Sequence, residues 1–270
     1  MTRLVEPFVG SAALSIACAA VGRASTFWLN DRNQPLANLL NLIIREPQQV
    51  AEAYRKLWIG EASKSQKQYY QLRDEFNEMQ NPFCLHTLLA RCVKSAVRYN
   101  ERGLFNQSMD KRRLGANPET MRDNILGMSK LLQGRAVVTS LDYREVLEQV
   151  TPEDVVYLDP PYQGVAISGS SRYSTGIDFQ GFLDALENLN QRGIKFAISY
   201  DGRTGDRTFG KTLPAGLGLT HIELQAGRSS QATLLGRNAV TVESLYLSAE
   251  LASEISVPSK NGQFPARIAK

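Results

Sequence analysis

The residues best suited to chemistry are Asp159-Pro160-Pro161-Tyr162, which follow the apolar run Val155-Val156-Tyr157-Leu158 directly. The run reads as a buried strand, and two successive prolines cannot continue its hydrogen-bond ladder, so the chain leaves it in a rigid, extended turn. Such a turn lies at the carboxyl end of a strand, where open α/β sheets bind their ligands. The set suits a planar amine such as the exocyclic group of adenine, whose lone pair is delocalised into the ring and is a poor nucleophile. If the Asp159 carboxylate and the Pro160 carbonyl accept its two hydrogens, the nitrogen becomes more tetrahedral and its lone pair turns toward an incoming methyl group. The positive charge that develops meets fixed acceptors, and Tyr162 can stack on the purine face. Asp-Pro alone is an ordinary turn after a strand; the four residues together carry the reading.

The flanking sequence supplies elements that could position this loop. Residues 4–9 read as a short buried strand, Gly10-Ser11 as a turn, and residues 12–21 as a helix of small and apolar residues ending at Gly22. A second strand at 26–29 closes on Asn30-Asp31-Arg32-Asn33, and a helix follows from about 35 to 44. Strand, turn, helix, strand and acid in that order open a nucleotide-binding α/β sheet. Strand patterns return at 136–139, 155–158 and 195–199, with a helix at 179–192 between the last two. Residues 221–224 and 241–247 fit a closing antiparallel pair. The expected architecture is an open α/β sheet. Its catalytic part is formed by residues 1–46 and 135–253, interrupted by a helical insertion at 47–134 and followed by a polar, flexible tail at 254–270.

Charge singles out the insertion. Residues 55–135 carry 15 Lys/Arg and 8 Asp/Glu, a net +7, whereas the rest of the chain is net −3 and the whole is +4. A basic segment on a near-neutral body is the footprint of a polyanion-binding surface; a solvated basic helix face accounts for the charge as well. Arg91, Lys94, Arg98 and Arg102 recur at helical spacing and are expected to share one face, with Lys111-Arg112-Arg113 as a charged loop for a phosphate backbone. Cys18, Cys84 and Cys92 form no paired or metal-ligand spacing, and the chain has two histidines, so no disulfide framework or zinc site is expected. That usage fits a reducing cytoplasm. Arg3 before the apolar stretch at 9–22 loosely imitates a signal peptide, but Glu6-Pro7 interrupts it, and no stretch approaches the ~20 apolar residues of a membrane span.

In order from about residue 4 to 250, the chain resembles the Dam-type DNA adenine methyltransferases. Glu6-Pro7-Phe8-Val9-Gly10-Ser11 resembles that family's Gly-rich cofactor loop, and Asn30-Asp31-Arg32-Asn33 its second cofactor element, whose acid binds ribose hydroxyls. Ser140-Leu141-Asp142-Tyr143 resembles the third, beside the cofactor's adenine, and Asp159–Tyr162 the catalytic loop. The run from Arg98-Tyr99-Asn100 through Arg102 to Asn106 resembles part of the DNA-recognition insertion, and Ile198-Ser199-Tyr200-Asp201 a later strand end. The resemblance implies a Rossmann-like methyltransferase that uses S-adenosylmethionine and no metal, and releases S-adenosylhomocysteine. It implies cofactor roles for Glu6, Pro7, Phe8, Gly10, Ser11, Asp31, Asp142 and Tyr143, and catalytic roles for Asp159, Pro160 and Tyr162. It also implies DNA contacts from Lys94, Arg98, Asn100, Arg102, Lys111, Arg112 and Arg113, with Arg98 the choice for a base. The implied partner is double-stranded DNA, with a restriction endonuclease in a restriction-modification setting, and the expected state is a monomer free of membranes.

Three features depart from the family's pattern. Its Gly-Gly-Lys or Gly-Ser-Lys element before the first strand has no counterpart ahead of Glu6, which implies a longer reading frame, a second polypeptide or an inactive protein. Ala12 follows Gly10-Ser11 where a second glycine is usual, and Lys94-Ser95 stands where the family's namesake has Asn-Gly, so its GATC target is not carried over. Two other functions stay open on the residues alone. One is an inactive or split relative that binds DNA and needs a partner; the other is an amino-methyltransferase of RNA or cytosine.

Overall fold

A computed structural model describes residues 1–59, 65–112, 114–161, 177–204, 207–209, 212–228 and 240–255. The elements run β1 (Arg3–Glu6), α1 (Ala13–Ala20), β2 (Thr26–Asn30), α2 (Gln34–Arg45), α3 (Pro47–Ile59), α4 (Gln66–Met79), α5 (Pro82–Arg91) and α6 (Pro118–Leu132). They continue with β3 (Ala136–Thr139), α7 (Tyr143–Glu148), β4 (Asp154–Leu158), α8 (Phe179–Gln191) and β5 (Lys195–Thr204). The last are β6 (Arg207–Phe209), β7 (Thr220–Arg228), β8 (Val240–Leu247) and α9 (Ala249–Glu254). By contacts the chain divides into two units, Met1–Phe8 with Tyr143–Lys270, and Val9–Asp142.

In the first unit β1 pairs parallel to β4, with Leu4 beside Val155 and Val5 beside Val156, and β4 pairs parallel to β5. β8 then joins β5 antiparallel, β7 joins β8 antiparallel, and β6 folds back on β5. The buried residues of this unit include the alternating strand residues Val156, Leu158, Phe196 and Ile198 and, on α8, Phe182, Leu186 and Leu189, all essentially inaccessible to water. At the start of β4 the buried Asp154 carboxylate takes two hydrogen bonds from Arg3, at 2.8 and 2.7 Å, and one from the Thr151 amide at 2.8 Å. Burial alone would raise the Asp154 pKa, but these donors bring it below the ordinary 3.8.

In the second unit β2 and β3 pair parallel, from Phe27 beside Ala136 to Asn30 beside Thr139. The chain between them is helical on either side of an irregular stretch. α2 buries Ala37, Leu39, Leu40, Ile43 and Ile44, a stripe at helical spacing, and Ser129 of α6 donates to the Ile44 carbonyl at 2.7 Å. Asn33, Asn81 and Asn117 each cap a helix that has proline in its first two positions. Tyr69, Phe76, Leu85, Leu88 and Phe105 form the centre of this unit's core.

The arrangement is the α/β, Rossmann-like one that the resemblance implies. The expected shared helical face of Arg91, Lys94, Arg98 and Arg102 is not formed. α5 ends at Arg91, which is buried over the Tyr69 ring and donates to the Met109 sulfur. Cys92 is extended, Lys94 and Ser95 have φ of 63° and 49°, and antiparallel bridges join Cys92 to Met109 and Tyr99 to Phe105. Residues 92–109 are therefore a bridged loop, in which left-handed backbone stops the helix that the charge spacing suggested. The expected flexible tail falls mainly on residues 256–270, outside the described residues.

Candidate active site

The end of β2 organises the cofactor-like elements of the second unit. Asn30 is fully buried; its side-chain oxygen accepts from Thr139 Oγ1 and the Leu141 amide, both at 2.8 Å, and its Nδ2 donates to the Leu141 carbonyl at 3.1 Å. One asparagine thus ties the second element to the third. Beyond it, the Asp31 carboxylate accepts the Gly10 amide at 3.1 Å and the Asn33 amide at 2.9 Å, one on each oxygen. Burial raises the Asp31 pKa, and the two amides act against that rise. Each oxygen keeps lone-pair capacity for a further donor, which fits a vicinal diol.

The turn held by Asp31 is built for close approach. Gly10 has φ +50°, and among the described residues nothing beyond its chain neighbours lies within 4 Å of the point where a Cβ would stand. Ala12, where a glycine is usual, still takes the left-handed conformation (φ 57°) and is buried. No side-chain hydrogen bond caps α1 at Ala12. Ser11 is exposed just before it. Asp142 is half-buried and lies 3.9 Å from Arg32, too far for more than a weak surface attraction.

In the first unit Glu6 and Pro7 are buried at the end of β1. Phe8 packs on Tyr143 with ring centroids 5.2 Å apart, and the Arg144 guanidinium lies 5.3 Å from the Tyr143 ring centre on the other contact. β4 ends at Leu158, fully buried, and Pro160 is buried too, so the intervening Asp159 is fixed from both sides while remaining open to solvent. The surrounding protein still desolvates its carboxyl enough to raise the pKa above 3.8, and Glu243 of β8 adds a like charge in the same direction. Tyr162 lies outside the described residues.

The candidate DNA-contact residues sit on the bridged loop. Lys94 is exposed in the turn Val93–Ser95, Arg98 is half-buried, and Arg102 is exposed at the tip. Asn100 spends its side-chain oxygen on the tip itself, accepting the Arg102 and Leu104 amides at 3.0 Å each. Lys111 and Arg112 are exposed on the next turn, where Asp110 accepts the Arg112 amide at 2.9 Å; Arg113 lies outside the described residues.

Comparison with known proteins decides what these elements belong to. The family model for D12 class N6 adenine-specific DNA methyltransferases matches residues 1–229. The chain belongs to that family. A DNA adenine methylase of Salmonella typhi is 31% identical over 205 residues, covering 73% of this chain and 70% of its own. The DNA adenine methylase of Escherichia coli strain K12 is 29% identical over the same extent. A type II methyltransferase of Methanocaldococcus jannaschii is 25% identical over 217 residues, 73% of each chain.

Membership makes the chain an enzyme that methylates the N6 amine of adenine in DNA, with S-adenosylmethionine as the methyl donor that methyltransferases of this family imply. It leaves RNA and cytosine without support as substrates. Among the described residues no cluster of His, Cys, Asp or Glu could hold a metal ion, and no helix is long and apolar enough to cross a membrane. Two organising residues were not visible in the sequence. Asn30 stands inside the Asn30–Asn33 motif with no signal of its own, and Glu243 belongs to no motif at all.

Proposed function

We propose that Asp159, Pro160 and Tyr162 prepare the adenine amine, that the elements around Gly10, Asp31 and Asp142 hold the cofactor, and that residues 47–134 read DNA. The observation that carries the first role is Asp159 itself, an acceptor locked between buried Leu158 and Pro160 with a pKa raised by its surroundings. A rigid acceptor aligns the amine without a reorganisation cost, and a raised pKa makes the carboxylate a better acceptor as positive charge grows on nitrogen. The Pro160 carbonyl takes the second hydrogen, and Tyr162 covers the base, which must leave the duplex to be reached. The nitrogen would attack the methyl carbon in a single displacement that breaks its bond to the donor sulfur and releases S-adenosylhomocysteine, and the methylated amine then loses a proton toward the Asp159 side.

S-adenosylmethionine, when bound, supplies a methyl group made electrophilic by its sulfonium. What supports its place in the second unit is the fit of the donor set. Asp31 accepts the ribose hydroxyls, the open turn at Gly10 and Ser11 lets backbone approach the methionine part, and the uncapped α1 faces its carboxylate. Glu6, Pro7 and Phe8 shape the loop entering this turn, and Asp142 and Tyr143 flank the adenine. Lys94, Arg98, Asn100, Arg102, Lys111, Arg112 and Arg113 engage double-stranded DNA, with Arg98 offered to a guanine and the others to phosphates. A restriction endonuclease is the fitting partner if the enzyme protects a restriction site.

Asp159→Ala tests the catalytic role. Single-turnover methyl transfer to mixed-sequence duplex should fall about 100- to 1000-fold, the scale of losing one preorganised polar group, with cofactor and DNA affinities unchanged. Transfer within about tenfold of wild type would remove Asp159 from the chemistry.

A further inference from the structure

The loop assigned to DNA reading is hydrogen-bonded to the turn assigned to the cofactor. Tyr99 Oη donates to Asn33 Oδ1 at 3.1 Å, across 66 positions of sequence. Asn33 in turn donates its amide to Asp31, the carboxylate that also holds Gly10, and its own side-chain oxygen caps α2 at the Leu36 amide. From the Tyr99 side the connection is equally short. Tyr99 bridges Phe105 in backbone and packs its ring edge-on to Phe105, which packs edge-on to Phe76 in the core. Asn77 clamps Phe105 by accepting its amide at 2.7 Å and donating to its carbonyl at 3.1 Å. The tip beyond Tyr99, residues 100–104 with Arg102 among them, is exposed, and Arg98 just before Tyr99 is half-buried. The hydroxyl is therefore the joint between a stretch that DNA would immobilise and the turn at Asn33, whose amide holds one oxygen of Asp31 while the Gly10 amide holds the other.

We infer that Tyr99 is a positioning residue that couples the two ligands: DNA on the loop fixes Tyr99, Tyr99 fixes Asn33, and the Asp31 turn then binds cofactor with less ordering left to do. The inference rests on the cofactor and DNA roles proposed above. Coupling of this kind must be reciprocal, so cofactor tightens DNA by the same factor that DNA tightens cofactor. A residue that merely supported the fold would change stability, or each affinity equally with and without the other ligand, and leave the coupling factor as it was. An enzyme that has to flip a base gains from this order, because the donor is held most firmly only when duplex is present.

The test is a pair of binding measurements on the full chain with S-adenosylhomocysteine and a mixed-sequence duplex. Wild-type protein should bind S-adenosylhomocysteine about fivefold or more tightly with duplex than without it, the lower end of ordinary site–site coupling. Tyr99→Phe keeps the ring and loses only the hydroxyl. It should bind each ligand alone within about twofold of wild type, with coupling reduced to less than about twofold. Asn33→Ser retains a helix cap but is too short to reach Tyr99, and it should lose the same coupling; the two changes together should lose no more than either alone. Wild-type coupling retained in Tyr99→Phe, or a wild type that binds both ligands independently, overturns the inference while leaving the assigned sites intact. A wild type that binds neither ligand overturns the assigned sites, and the inference falls with them.

Discussion

Replacing Asp31 by asparagine is the most informative single change outside the catalytic loop. The two carboxylate oxygens hold the Gly10 and Asn33 amides at 3.1 and 2.9 Å. Asparagine keeps one oxygen and turns an NH2 toward the other amide, so one of the two contacts becomes donor against donor. It also loses the charged acceptor offered to the ribose. A hydrogen bond to a charged group is worth about 1.5–3 kcal/mol, or roughly 10- to 150-fold in cofactor affinity. Stability should fall by less, about 1 kcal/mol, because the change also removes a charge that burial disfavours. Titration calorimetry with S-adenosylhomocysteine, beside a urea melt, separates the two effects. The pH dependence has a definite sign: Asp31 has a raised pKa, so wild-type affinity should weaken as pH falls through that pKa, and the variant should not follow. A folded variant with affinity within about twofold of wild type would refute the role given to Asp31.

Two further outcomes follow from carboxylates shifted in opposite directions. The Asp159 carboxyl is raised by desolvation first and Glu243 second, so the rate should fall with acid from above the ordinary 3.8, and Glu243→Gln should move that limb to lower pH. A pH–rate profile with an unmoved limb would remove Glu243 from the site. Asp154→Ala removes the acceptor of both Arg3 hydrogen bonds and should cost about 2–3 kcal/mol, below the usual cost of a broken buried pair because Arg3 is partly open to water. Since Asp154 lies below its ordinary pKa, the wild type should lose this increment only as pH falls below 3.8, and urea melts should show the difference between wild type and variant shrinking over that window.

The parallel strands were legible because they are short apolar runs that end in turn chemistry. The strand at 136–139 has the expected bounds, and the catalytic strand begins one residue earlier, at Asp154. The end of β5 was less legible, since it runs on to Thr204 where an irregular register toward β8 sets in after Ser199. The loop at 92–109 misled the reading for a physical reason. Arginine and lysine spaced three and four apart imitate a helix face, but charge spacing alone does not form a helix, and the stretch carries Val93 and Val97 together with the Asn100–Gly103 turn. Asp31 could be picked out by its place after a strand. Its connection to Tyr99 could not, because a contact across 66 positions leaves no local pattern.

The central claim is that this chain methylates adenine through the Asp159 loop. The most direct measurement incubates purified protein with methyl-labelled S-adenosylmethionine and mixed-sequence duplex DNA, digests the DNA to nucleosides and identifies the labelled base by mass spectrometry. All label should appear in N6-methyladenine, and almost none should remain with Asp159→Ala. Label in a methylated cytosine, or undiminished label with Asp159→Ala, would contradict the account.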